Sequence, residues 1–121
     1  MGVITMSNLR DETLGIMRDN GKTPEDVRWI GDGNIRFTWD EFEAIANFGY
    51  DDGYGGQKIA KDLMVVGGDW WLERHEYDGA EWWEFKAMPS CPDRHEVPRR
   101  LKGFNSWSSL SAVNADDDDL I

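Results

Sequence analysis

Residues 69–85 read DWWLERHEYDGAEWWEF, and the fold can be predicted outward from them. Two runs rich in aromatic residues flank an Asp-Gly pair, which is a strong short-range signal for a two-residue hairpin turn. The turn fixes the register by pairing Tyr77 with Ala80. The sequence therefore predicts two antiparallel strands, Asp69–Tyr77 and Ala80–Ala87.

Alternation along these strands sends neighbouring side chains to opposite faces of the hairpin. The first face is a predicted core face, on which Arg74 can lie over the Trp83 ring; it carries Trp70, Leu72, Arg74, Trp83, Phe85 and Ala87. The other face, called the second face below, carries Trp71, Glu73, His75, Tyr77, Trp82, Glu84 and Lys86. Two of the four indoles thus belong to the core, and Trp71 and Trp82 need another explanation.

The rest of the chain predicts helices and short strands around the hairpin. A helix begins after a cap at Ser7 or Asn8. Thr38 and Glu41 form a capping box for a second helix, which Gly49 ends. The predicted buried stripe of this second helix consists of Trp39, Phe42, Ile45 and Ala46.

Further strands precede the hairpin. Leu63–Val66 is a compact apolar run, and two short strands flank the Gly31–Asn34 turn with Val27, Trp29 and Phe37 inward. The sequence therefore predicts an α+β fold, with an antiparallel β-meander of about four or five strands and two or three helices packed on one face.

The length predicts a single α+β domain over residues 1–115. Within it, residues 89–103 form a Pro-rich basic strap, followed by a short helix with Trp107 and Leu110 inward. Residues 116–121 are predicted to be an acidic C-terminal tail.

The charge balance limits the choice of partners. Asp and Glu number 24 against 13 Lys and Arg, which gives a formal net charge of −11. Such a charge repels phosphates and anionic lipids, so we expect no direct nucleic-acid binding and no membrane binding. A basic protein partner is compatible with it, as is imitation of a nucleic acid's charge.

Features of targeting and redox chemistry are few. The chain has a single cysteine, Cys91, no run of about 18 apolar residues and no signal-peptide pattern at its start. We therefore expect a cytoplasmic protein. His75 and His95 are the only imidazoles, which predicts no metal site and no cofactor.

The second face suggests two explanations for its indoles. Either the basic strap covers them, or they belong to a partner-binding surface, because Trp and Tyr are enriched at the energetic centres of interfaces. Glu73 opposite Glu84 is a like-charge pair that a basic partner would relieve. The candidate binding residues are Trp71, Glu73, His75, Tyr77, Trp82 and Glu84.

The stretch from Phe37 to Pro89, including FTWDEFEAIA, DLMVVGGDWWLERHEYDG and EWWEFKAMP, resembles small acidic proteins of phages and bacterial mobile elements. That group carries no assigned activity, so the resemblance implies a context and no functional residue. Small acidic phage proteins often act by binding host machinery.

These observations predict a non-enzymatic acidic protein-binding module that engages a basic host protein through the second face. A first alternative is a nucleic-acid mimic that inhibits a host defence complex, such as a restriction or CRISPR system. A second alternative is a small hydrolase or transferase that uses His75 or His95 with a carboxylate as an acid/base pair. A flat sheet face disfavours this last alternative.

Overall fold

The computed structural model describes residues 6–115 of the 121-residue chain. The chain divides into two compact units after Pro89, where the predicted strap begins. Within the described residues, three α-helices accompany antiparallel sheets of two and five strands, which confirms the predicted α+β class with its β-meander. The predicted acidic tail, residues 116–121, lies outside the described residues.

The strands lie in the first unit. In chain order they are β1 (Met6–Asn8), β2 (Trp29–Gly31), β3 (Arg36–Phe37), β4 (Gly49–Asp51), β5 (Met64–Val66), β6 (Trp70–Tyr77) and β7 (Ala80–Ala87). The five-stranded sheet has the spatial order β3-β2-β5-β6-β7. Each neighbouring pair in it is antiparallel.

The tryptophan hairpin has the predicted register. Its pairs run from Tyr77–Ala80 at the turn to Trp70–Ala87 at the open end. Asp78 and Gly79 connect the strands with positive φ angles of 52° and 90°. Type I′ turns need positive φ at both central residues, and an Asp-Gly pair tolerates that conformation. The local turn chemistry therefore determines which residues meet across β6 and β7.

Helices α1 (Leu9–Asp19) and α2 (Trp39–Ile45) pack against the five-stranded sheet of this unit, α1 next to β7 and α2 next to β2. The Asn8 side chain caps α1 by accepting from the backbone N–H of Asp11 at 3.1 Å. The predicted capping box of α2 is also present.

Two details of the α2 prediction are wrong. Trp39, Phe42 and Ala46 are buried as predicted, but Ile45 is 69% exposed. The helix ends at Ile45 with Ala46 as its cap, whereas Gly49 already belongs to β4. A helix of seven residues buries only a narrow stripe, and Ile45 falls beyond its edge.

The hydrophobic core lies between the two helices and one face of the five-stranded sheet. Its centre contains fully buried Met17, Ile30, Val65 and Leu72. Val27 and Phe37 pack against it as predicted.

Trp29 does not point inward, and this part of the prediction is wrong. Ile30, its neighbour along β2, is the buried residue, with 0% exposure. Trp29 pairs with Val66, which in turn pairs with Trp71. Paired residues of adjacent strands project to the same side of a sheet, so Trp29 belongs to the same side as the second face.

The strand pair β1–β4 was not predicted. Ser7 pairs with Tyr50, at the start of the Gly- and Tyr-rich stretch GYDDGYGGQK, residues 49–58. Each strand has only three residues, so no periodic pattern marks it. The pairing fixes Tyr50, which contributes to the polar network described below.

The described part of the second unit, residues 90–115, consists of irregular chain and the short helix α3 (Leu110–Val113). Asn114 holds its two parts together: its Oδ1 accepts from the backbone N–H groups of Arg99 and Arg100 at 2.9 and 2.8 Å. Trp107 and Leu110 are 89% and 56% exposed, so their predicted inward orientation is wrong.

Candidate protein-binding surface

Burial alternates along the hairpin as the two faces require. Trp70 and Trp83, on the core face, are each 3% exposed. On the second face Trp71 is half-buried, Trp82 is 38% exposed and Tyr77 is 75% exposed. The four indoles therefore do not form one sealed cluster. The hairpin presents two of them on the side of the sheet that faces away from the hydrophobic core of this unit.

A histidine bridges the two facing carboxylates of the second face. His75 Nε2 lies 2.8 Å from Glu73 Oε2, and His75 Nδ1 lies 2.5 Å from Glu84 Oε2. The register places Glu73 opposite Glu84 and His75 opposite Trp82, so the imidazole reaches both acids from one position. The like-charge pair expected from the sequence is thus compensated within the hairpin itself.

Glu73 also orders the neighbouring indole. Trp71 Nε1 donates to Glu73 Oε1 at 2.7 Å. The hydrogen bonds from Trp71 and His75 stabilise the carboxylate and hold the pKa of Glu73 below its usual value. Lys86 Nζ lies 4.0 Å from Glu84 Oε1 and adds a second cation to this group. The polar groups of the second face are therefore connected to one another and fixed in position.

The surface continues onto the adjacent strands. Across the sheet, Trp29, Val66, Trp71 and Lys86 are paired in one row, and Gly31, Met64, Glu73 and Glu84 in the next. Trp29, Met64 and Val66 are half-buried. The strand order, which the sequence alone does not give, thus adds a third indole and two aliphatic side chains to the six predicted residues.

The core face contains a buried polar network that the sequence analysis missed. The Arg74 side chain is 0% exposed and contacts Glu12 Oε1 at 3.1 Å, Glu81 Oε1 at 3.0 Å and the Tyr50 hydroxyl at 3.1 Å. Its guanidinium lies 4.8 Å from the centre of the Trp83 ring, which confirms the predicted stacking. Burial by itself lowers the pKa of Arg74, but contacts with Tyr50 and Glu12 outweigh it and raise that pKa.

Glu81 is the central acceptor of this network. Its side chain is 2% exposed and accepts the backbone N–H groups of Lys58 and Ile59 at 2.6 and 3.1 Å, in addition to the bond from Arg74. It therefore ties the loop before β5 to the hairpin. A sequence signal exists, because alternation places Arg74 and Glu81 on the core face, where charged residues need partners.

Tyr50 and the Trp83 indole complete the connections to α1. The Tyr50 hydroxyl donates to Glu12. Burial of the hydroxyl raises the pKa of Tyr50, and the hydrogen bond to Glu12 raises it further. Trp83 Nε1 donates to the Thr13 hydroxyl at 2.8 Å. These groups bond to one another inside the unit, so we interpret the network as structural.

The structure also describes the residues that the sequence suggested for catalysis or metal binding. Among residues 6–115, no group of three or more His, Cys, Asp and Glu side chains is arranged to hold a metal ion. His95 and Cys91, considered from the sequence, are exposed. The apolar hollow beside α2, about 230 Å³, and the cleft in the second unit, about 470 Å³, are both lined by residues other than His75 and His95.

Comparisons with known proteins do not assign the chain to a family. No family model matches the chain, and no significant match is found among curated proteins or solved structures. The resemblance to phage and mobile-element proteins therefore stays a prediction. Within residues 6–115, the helices are all too short or too polar to span a lipid bilayer.

Proposed function

We propose that this protein is a non-enzymatic binding module that engages a basic partner protein through the second face. The observation that supports this proposal is the grouping of Trp71, Trp82 and Tyr77 around a hydrogen-bonded set of carboxylates on one sheet face. Their partial exposure leaves apolar area that a partner can remove from water. Trp29 extends this aromatic area on the neighbouring strand.

The proposed surface is suited to binding for two physical reasons. Aromatic residues carry much of the energy of protein interfaces, because they bury a large area with few rotatable bonds. The hydrogen bond that holds Trp71 before binding reduces the entropy lost on association.

The charge of the chain defines the partner chemistry. A net charge of −11 attracts a basic protein over distances comparable to the Debye length, about 8 Å at physiological salt. The predicted phage or mobile-element context would make that partner a host protein. A nucleic-acid mimic requires carboxylates free of neighbouring basic side chains, whereas His75 lies beside both acids and Lys86 lies beside Glu84. We therefore favour a protein surface over mimicry for the second face.

The test is capture of partner proteins from a bacterial lysate by three immobilised forms of the protein. The Trp71→Ala/Trp82→Ala variant removes the aromatic area of the second face. Trp107→Ala is the matched control, because this indole is 89% exposed and lies in the second unit. We expect a basic protein that binds the wild type and the control but is lost from the double variant.

Thermal unfolding of all three forms separates binding from folding. Half-exposed rings contribute less to stability than core rings, so the double variant should retain a cooperative transition. Equal capture by the double variant and the wild type would contradict the proposal. So would an acidic protein as the captured partner.

A further inference from the structure

The core face shows how this protein holds a guanidinium group. Arg74 lies over the Trp83 ring at 4.8 Å and contacts two carboxylates, Glu12 and Glu81, at 3.1 and 3.0 Å. A tyrosine hydroxyl, that of Tyr50, is also 3.1 Å away. The indole stacks on the planar π-system, and the two carboxylates and the phenol accept from Nη1 and Nη2. Arg74 Nε has no hydrogen-bond partner among the described residues.

The second face presents a similar set of groups on the other side of the same strands. Trp82 supplies an indole that is 38% exposed, and Tyr77 supplies a phenol that is 75% exposed. Glu73 and Glu84 face each other across the strands. The side chain between these acids is not an arginine but the smaller imidazole of His75.

We propose that the second face recognises an arginine side chain of the basic partner, and that its guanidinium takes over carboxylate contacts of His75 with release of the histidine's proton. This inference rests on the proposed protein-binding function and specifies the chemistry of its partner. The released proton passes to solvent, and the hydrogen-bonded carboxylates exchange one cation for another.

The geometry of His75 supplies the reason for proton release. A neutral imidazole has one N–H donor, whereas both ring nitrogens of His75 lie within 2.8 Å of a carboxylate oxygen. A ring that donates to both acids must carry a proton on each nitrogen, which is the cationic form of imidazole. A guanidinium placed at the same carboxylates is a like charge next to it, so binding favours loss of the proton.

Besides the two acids, the second face near His75 carries a lysine, two aromatic residues and a methionine. Lys86 Nζ lies 4.0 Å from Glu84 Oε1, and its charge also acts on Glu73. Trp82 is paired with His75 across the strands, and Tyr77 lies on the same strand as His75. From the neighbouring strand β5, the residue paired with Glu73 is the apolar Met64.

Arginine fits this surface better than lysine. Its planar fork can form two parallel hydrogen bonds to a carboxylate and can stack on an indole at the same time. A lysine ammonium has neither a planar face nor a fixed pair of donors. The proposal therefore predicts discrimination between the two cations, which simple attraction to an acidic protein does not.

The test uses an acetylated, amidated peptide of alternating arginine and valine as the probe. Matched peptides carry lysine, or the neutral isostere citrulline, in place of arginine. Binding to the full-length protein is followed by the indole N–H signals of Trp71 and Trp82 in NMR spectra, at about pH 5.5 and about pH 8. Titration calorimetry in two buffers of different ionisation enthalpy counts the protons released.

We expect the arginine peptide to shift both indole signals, with weaker binding by the lysine peptide and none by the citrulline peptide. The affinity should fall by up to about tenfold for each pH unit on the acidic side, with a proton released near neutral pH. His75→Gln should abolish this pH dependence and retain the arginine preference.

Three outcomes would overturn the inference: equal binding of arginine and lysine peptides, no indole shift at millimolar peptide, or an unchanged pH dependence in His75→Gln. The proposed function is tested separately by the Trp71→Ala/Trp82→Ala capture experiment. A partner lost from that variant but indifferent to pH and arginine would leave the proposed function standing and remove only this inference.

Discussion

The substitution Glu81→Gln tests whether the buried polar network stabilises the fold. It removes one negative charge and keeps the size of the side chain. Glu81 is 4% exposed, and its two oxygens accept from Arg74, Lys58 and Ile59. A glutamine amide has a single oxygen, so at least one of these donors loses its acceptor.

The magnitude follows from what remains around Arg74. Its side chain is 0% exposed, and after the substitution its remaining carboxylate is Glu12, which is 19% exposed. Removal of one partner from a buried ion pair typically costs about 3–5 kcal/mol. Because glutamine still accepts one hydrogen bond, we expect a loss near the lower end, about 3 kcal/mol, from a total stability of about 5–15 kcal/mol.

The matched control is Glu76→Gln. Glu76 is the cross-strand partner of Glu81 on the same hairpin, but its side chain is exposed. The same chemical change there should alter the free energy of unfolding by no more than about 0.5 kcal/mol. The two variants differ in burial and contacts and share the change in net charge.

Urea unfolding followed by far-ultraviolet circular dichroism measures both variants. With a urea dependence of about 1–3 kcal/mol per molar, a loss of about 3 kcal/mol lowers the midpoint by about 1 M or more. A Glu81→Gln midpoint that coincides with that of Glu76→Gln would refute the reasoning, because it would mean that Arg74 needs no second carboxylate.

Three further predictions concern the hairpin. Trp83→Phe should lower the free energy of unfolding by about 1–3 kcal/mol, because the indole hydrogen bond to Thr13 of α1 is lost. Trp82→Phe should change it by less than about 0.5 kcal/mol. Thermal unfolding of the two variants measures the difference. Gly79→Ala should cost about 1 kcal/mol or more in the same assay because its φ is +90°. Folding lowers the pKa of Glu73, so its ionised carboxylate contributes its full stabilisation above pH 4.5, the ordinary pKa. This contribution is lost as the pH falls through the lowered pKa of the folded state. In Glu73→Gln, the urea midpoint should therefore decrease less on acidification than it does in the wild type.

Local sequence was sufficient for the hairpin and the helix starts. The Asp78-Gly79 turn fixes the register, and a period of two then assigns every residue of β6 and β7 to a face. The capping box at Thr38 likewise locates the start of α2. These features depend on residues close together in the chain, so their patterns are visible without a structure.

Contacts between distant segments were decided by tertiary structure alone. Trp29 was expected in the core and lies instead beside Val66 and Trp71, because the order of β2, β5 and β6 sets which side it occupies. The strands β1 and β4 have too few residues to show a period, yet their pairing brings Tyr50 to Arg74.

The sequence by itself determined that two indoles leave the core, since strand alternation is a property of the backbone. The sequence also sets the negative net charge of the protein. Only the tertiary structure decided that His75 joins Glu73 to Glu84 and that Glu81 is buried with Arg74. Side-chain contacts of this kind depend on rotamers and on neighbouring elements, which a pattern along one strand does not specify.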